Sequence, residues 1–318
     1  MIVEFPLTVP DLIPLNRDYI SPPGEHAIYA DLYGYGSDKP ELFAPFAPDI
    51  RDTSLEGRVN TLPGLLRAIG EGGANAMIEM MTASGVDAAI IHSYDTLEHA
   101  IVADIQVKSK GKLIGVAGCS PKMKMEAVRN LDHAVRKLGL KAASIAPYAN
   151  GMHADDRRYY PIYSKCCELD IPVIVHTSTN LLTGVRNDCG HPSFLDQVAT
   201  DFPELTIIAH HAGWPWVLDM VSIALRHPNM YISPAGMRPR HFNKPGGGWQ
   251  PLIQFGDTVL RDRVMWGSNW PMLPIRRSHD ELRALPLRPE SLDAWLGGNA
   301  ARVFKLNDVS TAKSAVSG

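Results

Sequence analysis

The residues best suited to chemistry are histidines that close apolar runs. His176 ends the run in "PVIVHTST", His210 and His211 end "IIAHHAGWPW", and His92 ends "AIIHSYD". A neutral imidazole can serve as a metal ligand or as an acid or base near neutral pH. A further apolar run, "RVMWGSNWPM" (263–272), carries the turn Gly267-Ser268, after which Asn269 projects from the strand's end. Asparagine offers a carbonyl oxygen and two N–H donors but no charge, so it cannot take a proton from bound water. Strand alternation sends His210 and His211 to opposite faces. His211, two residues before Gly213, is read as the functional one, and His210 as packed between strand and helix. His211 and Asn269 are thus the catalytic candidates, with His176 beside them as a ligand, while a lone His92 reads first as a structural group.

Arginines supply the complementary charge. Arg238, Arg240 and His241 lie in the glycine-containing segment "SPAGMRPRHFNKPGGGW", and Arg276-Arg277 follow the Asn269 run. Guanidinium groups grip carboxylates through two parallel hydrogen bonds. Arg238, Arg240 and Arg276 are therefore candidate substrate-binding residues, although a solvated loop accounts for them equally well. Trp214, Trp216, Trp249 and Trp270 could line a site, but aromatic residues at helix starts are usually core.

Positioning these groups falls to a regular alternation of short apolar runs and amphipathic stretches. The candidate strands span 27–33, 87–92, 112–118, 142–147, 171–176, 205–211, 229–233 and 263–268. Uninterrupted Val/Ile/Ala runs of this kind suit strands buried on both faces of a parallel sheet. Segments such as 124–139 and 159–170 read as the intervening helices. Eight such repeats predict an α/β fold, a TIM (β/α)8 barrel, whose catalytic groups gather at the C-terminal strand ends. An open doubly wound sheet is the competitor, but no GxGxxG follows the first run. The expected organisation is an N-terminal extension (1–26), a barrel (27–308) with a long Pro/Gly-rich loop (34–60) after strand one, and a disordered tail (309–318).

Composition narrows the partners. With 318 residues, 45% hydrophobic and 20% charged, the chain has the balance of a soluble globular domain. A net charge of −3 gives no reason to expect nucleic acid or an anionic membrane. No signal-peptide pattern opens the chain, and no apolar run reaches the roughly 20 residues that span a bilayer. Cys119, Cys166, Cys167 and Cys189 follow neither CxxC nor disulfide spacing, so a reduced, cytoplasmic setting is expected.

Several ordered motifs resemble the amidohydrolase superfamily, in particular the amidohydrolase-related group that includes aminocarboxymuconate-semialdehyde decarboxylase. They are "MIEMMTASGVDAAII" (77–91), "DDRRYYPIYSKCCELDIPVIVHTS" (155–178), "FPELTIIAHHAGWPW" (202–216), "RVMWGSNWP" and "WLGGNAARVFKL" (295–306). The resemblance implies one divalent metal, zinc first, held by an HxH pair on strand one, a histidine on strand five and an aspartate on strand eight. A strand-six histidine would act in acid/base chemistry. His176 and His211 match. The D-x-H-x-H pattern aligns with Asp31-Leu32-Tyr33-Gly34-Tyr35, which puts Tyr33 and Tyr35 in the histidine places; a shift by two substitutes Asp31 and Tyr33. Asn269 stands where the group has aspartate. Neutral phenol and amide are poor replacements for imidazole and carboxylate, and a catalytic zinc usually has at least three firm protein ligands. Asp31, His92 or a tyrosinate could complete a rebuilt shell around His176 and His211.

Two functions follow. One is a divergent hydrolase or carboxy-lyase acting on a small carboxylated molecule through an altered metal site. Decarboxylation survives ligand loss more easily, because it needs an electron sink and a proton donor but no water nucleophile. The other is a non-catalytic accessory subunit paired with a ligand-complete amidohydrolase-like partner, an oxygenase among the options. The expected assembly is a homo-oligomer or a hetero-oligomer with such a barrel.

Overall fold

Pro6 interrupts the opening "VEFPLT", yet Val3–Thr8 is the first strand, β1. It runs parallel to β2 (Ala88–His92), with Val3 and Glu4 opposite Ala88 and Ala89 but Leu7 and Thr8 opposite Ile91 and His92. The one-residue register shift between Glu4 and Leu7 is a bulge. A proline, which has no N–H to give a ladder, is tolerated there. The computed structural model describes residues 1–8, 74–75, 77–92, 99–180, 184–270 and 273–306. The expectation that 1–26 stands outside the repeat is corrected at these residues, because β1 fills the place expected for 27–33. That candidate strand, the 34–60 loop and the 309–318 tail lie outside the described residues.

The other strands fall on the expected runs. Leu113–Gly115 (β3) pairs with β2, and Ala117–Gly118 (β4) pairs with Ala143–Ile145 (β5). Only Val116 separates β3 from β4, and its N–H donates to Ile91, so one continuous segment carries both sheets. Val173–His176 (β6), Ile207–His210 (β7) and Met230–Ser233 (β8) follow in parallel order. Residues 264–268 complete the circuit. Val264 bridges Ile232 in parallel, and Gly267 lies so close to β1 that a Cβ would stand 2.0 Å from the Phe5 carbonyl oxygen. Eight strand segments thus make the parallel layer of a TIM barrel.

Strand parity divides the core. Val3, Phe5, Ala88, Ile90, Ile114, Val116, Ile174, Ile208 and Met265 pack together on the inside. Ala89, Ile91, Val173, Val175, Ile207, Ala209 and Ile232 face the helices. Those helices include α1 (His99–Lys108), α2 (Met125–Arg136), α3 (Tyr160–Leu169), α4 (Ser193–Asp201), α5 (Val217–Arg226), α6 (Gln250–Gly256) and α7 (Ile275–Arg283). In α2 the buried Ala127, Val128, Leu131 and Ala134 recur at helical spacing, which gives one apolar stripe to bury. Helix α8 (Asn299–Val303) brings Ala300, Ala301 and Phe304 against the inner cluster, and Phe304 packs 5.6 Å from Phe5. Apolar side chains therefore seal the interior, and polar ones appear where the strands end. No helix among the described residues is long and apolar enough to cross a membrane.

Candidate functional site

The site is assembled from the ends of β6, β7 and β8 and the turn after residue 268. His176 lies opposite His210 in register, and His210 lies opposite Ser233. His210 shares the parity of inner Ile208, so it points inward with His176. This corrects the expectation that it packs between strand and helix. His211 then leaves the strand with φ +74, followed by Ala212 at +55 and Gly213 at +72. Positive φ is costly for non-glycine residues, and such strain gathers at functional sites. The turn is held from outside: Gly213 N–H donates to Thr177 at 2.8 Å, and Thr179 N–H donates to Trp214 at 2.8 Å. The loop after β6 thereby fixes the turn after β7. As a result the His211 ring lies 4.9 Å from His176 and 3.6 Å from His210, centroid to centroid.

His211 is 7% exposed, and its Nδ1 lies 2.7 Å from the Ala235 carbonyl oxygen. A carbonyl only accepts, so Nδ1 carries the proton and Nε2 keeps the lone pair. Burial lowers the imidazole from 6.5 to about 4, opposed in part by the Ala235 bond. The neutral form therefore prevails at neutral pH. Asn269, 3% exposed at φ +53, adopts the left-handed conformation that asparagine tolerates better than most residues. Gly236, at φ +80, shows how close the two groups come. A Cβ there would stand 3.3 Å from both Asn269 Nδ2 and His211 Nδ1. Tyr148, from the short helix Pro147–Asn150 after β5, meets His176 edge-on at 4.5 Å. Sequence reading passed over Tyr148, Gly236 and the Ala235 carbonyl. Tyr148 follows a strand end and could have been flagged by that position alone.

Asn269 is oriented by a buried network. Glu4, fully buried, accepts from Ser268 N–H at 2.7 Å and from Ser268 Oγ–H at 2.9 Å. Its other oxygen lies 2.5 Å from Nε2 of His279 on α7. Ser268 Oγ also accepts from Trp270 N–H, so both residues flanking Asn269 are tied down.

The remaining candidates separate. Arg238 is buried and bonded to Glu281, which also accepts from the Arg240 backbone. Arg240 is exposed, with Nε 3.4 Å from His241 Nε2, and Arg276 is exposed on α7. Trp249, stacked on Phe242 at 4.4 Å, and Trp270 are buried core residues. His92 ends β2, but its side chain, like Asp31, Tyr33 and Tyr35, lies outside the described residues. The thiols show no nucleophilic activation: burial raises Cys119 to about 12 and Cys167 to about 11.

The described residues at these strand ends do not by themselves make up a hydrolytic metal centre. Among the described residues, the strand ends bring together imidazoles and an amide but no carboxylate, since Glu4 is committed to Ser268 and His279. The described groups of three His, Cys, Asp or Glu whose ligand atoms converge include none at these strand ends. What the arrangement can do is move a proton at His211 Nε2 and donate hydrogen bonds from Asn269.

Comparison with known proteins agrees with this architecture. The chain is 24% identical over 311 residues to a gamma-resorcylate decarboxylase from Polaromonas sp., covering 83% of this chain and 94% of that protein. It is 26% identical over 179 residues to the decarboxylase orsB of Emericella nidulans, where the match spans 46% of this chain and about half, 47%, of the relative. An uncharacterised TIM-barrel protein from Bordetella bronchiseptica superposes with a TM-score of 0.68 at 27% identity, over 96% of this chain and 98% of that one. A 5-carboxyvanillate decarboxylase from Novosphingobium aromaticivorans, complexed with manganese and 4-hydroxy-3-methoxy-5-nitrobenzoic acid, shares the fold at a TM-score of 0.61 and 18% identity, over 96% of each chain. The amidohydrolase family model matches residues 68–306. With that match spanning most of the chain, the protein belongs to the amidohydrolase family.

Proposed function

We propose that the protein is a carboxy-lyase that removes CO2 from a small hydroxylated aromatic carboxylate, with His211 moving the proton. The observation that carries this reading is the buried His211 ring, bonded through Nδ1 to Ala235 and neutral down to about 4. A relative named as a gamma-resorcylate decarboxylase supports the substrate class, and a second named as a decarboxylase supports the reaction. Nε2 takes the proton of a hydroxyl ortho to the carboxylate. The resulting phenolate pushes electron density onto the carbon that bears the carboxylate. The imidazolium, made acidic by burial, returns its proton to that carbon. The carbon–carboxylate bond then breaks, its electron pair restores the aromatic ring, and CO2 departs. The product leaves as a phenolate that takes a proton from water. Asn269 Nδ2 donates to a substrate oxygen, and the His176–Tyr148 pair walls the same site.

The test is CO2 release from a panel of ortho-hydroxybenzoates by the purified chain and by His211→Asn. That substitution keeps a donor for Ala235 and removes Nε2. We expect turnover by the wild type and a loss of about 10²–10⁴-fold in the variant. Equal turnover by the two proteins would contradict the assignment. Inactivity alone, with activity gained on adding a ligand-complete relative, would replace it by the accessory-subunit reading.

A further inference from the structure

A second cluster with ligand chemistry is made of residues other than those that carry the proposed reaction. His153 follows the short helix Pro147–Asn150, and Asp188 and Cys189 lie in the 3-10 turn Asn187–Gly190 after β6. One ligand atom from each lies within 4.8 Å of the other two, and His153 Nε2 stands 3.3 Å from Asp188 Oδ2. Around a tetrahedral zinc-like ion, with nitrogen and oxygen donors at 2.0–2.2 Å, neighbouring donors stand roughly 3.3–3.6 Å apart. The two groups share a hydrogen bond at that spacing, and the same spacing admits an ion between them.

The cluster is also held in advance. His153 stacks on Phe194 at 3.8 Å with 9° between the planes, which sets the direction of its ring. The turn carrying Asp188 and Cys189 is pressed onto the loop after β6. A Cβ on Gly190 would stand 1.7 Å from the Ser178 carbonyl oxygen, and Asn187 Oδ1 accepts from Thr179 Oγ1 at 2.7 Å. Cys189 is 3% exposed, so its sulfur is shielded. Arg186 is the competitor, since its guanidinium bonds both oxygens of Asp188. Its side chain is 70% exposed and that of Asp188 45%, so this ion pair is of the weak, solvent-screened kind. A divalent ion that also gains an imidazole and a thiolate outcompetes it.

We propose that His153, Asp188 and Cys189 bind a thiophilic divalent cation of the zinc class, with the fourth position left to solvent. The ion cross-links the segment after β5, which carries Tyr148 onto His176, to the turn after β6. It is a separate site from the histidines at the strand ends, and no step of the proposed reaction passes through it.

Cobalt(II) is the probe, added to the chelator-stripped full chain. Sulfur ligation gives a thiolate-to-cobalt charge-transfer absorption in the near ultraviolet that nitrogen and oxygen donors do not. We expect that absorption in the wild type and in His211→Asn, and its loss in Cys189→Ser and in His153→Asn, with circular dichroism showing each variant folded. Arg186→Ala, which removes the competitor, lowers the cobalt concentration needed for half-saturation. The proposal is overturned if saturating cobalt produces no such absorption in the wild type, or if the absorption survives in Cys189→Ser. These readouts involve no turnover, so they stand or fall independently of the decarboxylase reading.

Discussion

At the scale of single residues, the proposed chemistry rests on how His211 is held. Its Nδ1 bond to Ala235 fixes the tautomer, and burial fixes the charge. The sign of the pH dependence follows. Because burial lowers His211 from 6.5 to about 4, the folded chain binds fewer protons than the unfolded chain between those values. Stability from this group is fully present above pH 6.5 and lost as pH falls through about 4, a change of about 3 kcal/mol. In His211→Asn the urea midpoint should fall less steeply across that interval; a profile parallel to that of the wild type would show that His211 is not held neutral. That His211 sits at a strand end was legible from its place before Gly213. The inward turn of His210 was not, because alternation alone gives opposite faces for neighbours. Here His211 leaves the extended conformation at φ +74 and brings both rings to one side.

At the scale of elements, the site depends on the seam between 264–268 and β1. Gly267 has no room for a side chain against Phe5, whereas Gly246 has nothing within 4 Å and disfavours a side chain only through its φ of +83. Gly267→Ala should therefore cost about 3 kcal/mol or more, and Gly246→Ala about 1 kcal/mol, in chemical denaturation. Equal costs would mean that the seam is not closed as described. Seven of the eight strand segments were legible as short apolar runs, because strands covered on both faces leave that pattern. The first was not. Pro6 breaks the run, and only the bulge opposite β2 shows how the ladder accommodates it. The Glu4–Ser268–His279 network was equally hidden, since its members lie 264 and 275 residues from Glu4 in sequence. Asn269 was conspicuous as a departure from aspartate, but what orients it comes from the other end of the chain.

At the scale of the whole molecule, the family's barrel is kept, and the proposed function gives the described donors at its strand ends a part in proton transfer. Asn269, in place of the aspartate that the resemblance implies, is the sequence feature behind that proposal. The tyrosines first aligned with the HxH pair lie outside the described residues, and β1 brings no histidine to its place in the circuit. The central claim is that His211, rather than a cation at the strand ends, drives the loss of CO2. The most direct measurement compares turnover of an ortho-hydroxybenzoate by chelator-stripped and manganese-supplemented protein, in the Cys189→Ser background so that the proposed second cation site does not enter. We expect the two rates to agree within twofold or so, well below the roughly 10²-fold or greater effect of losing a general acid–base group. Turnover that vanishes on stripping and returns with manganese would contradict the claim.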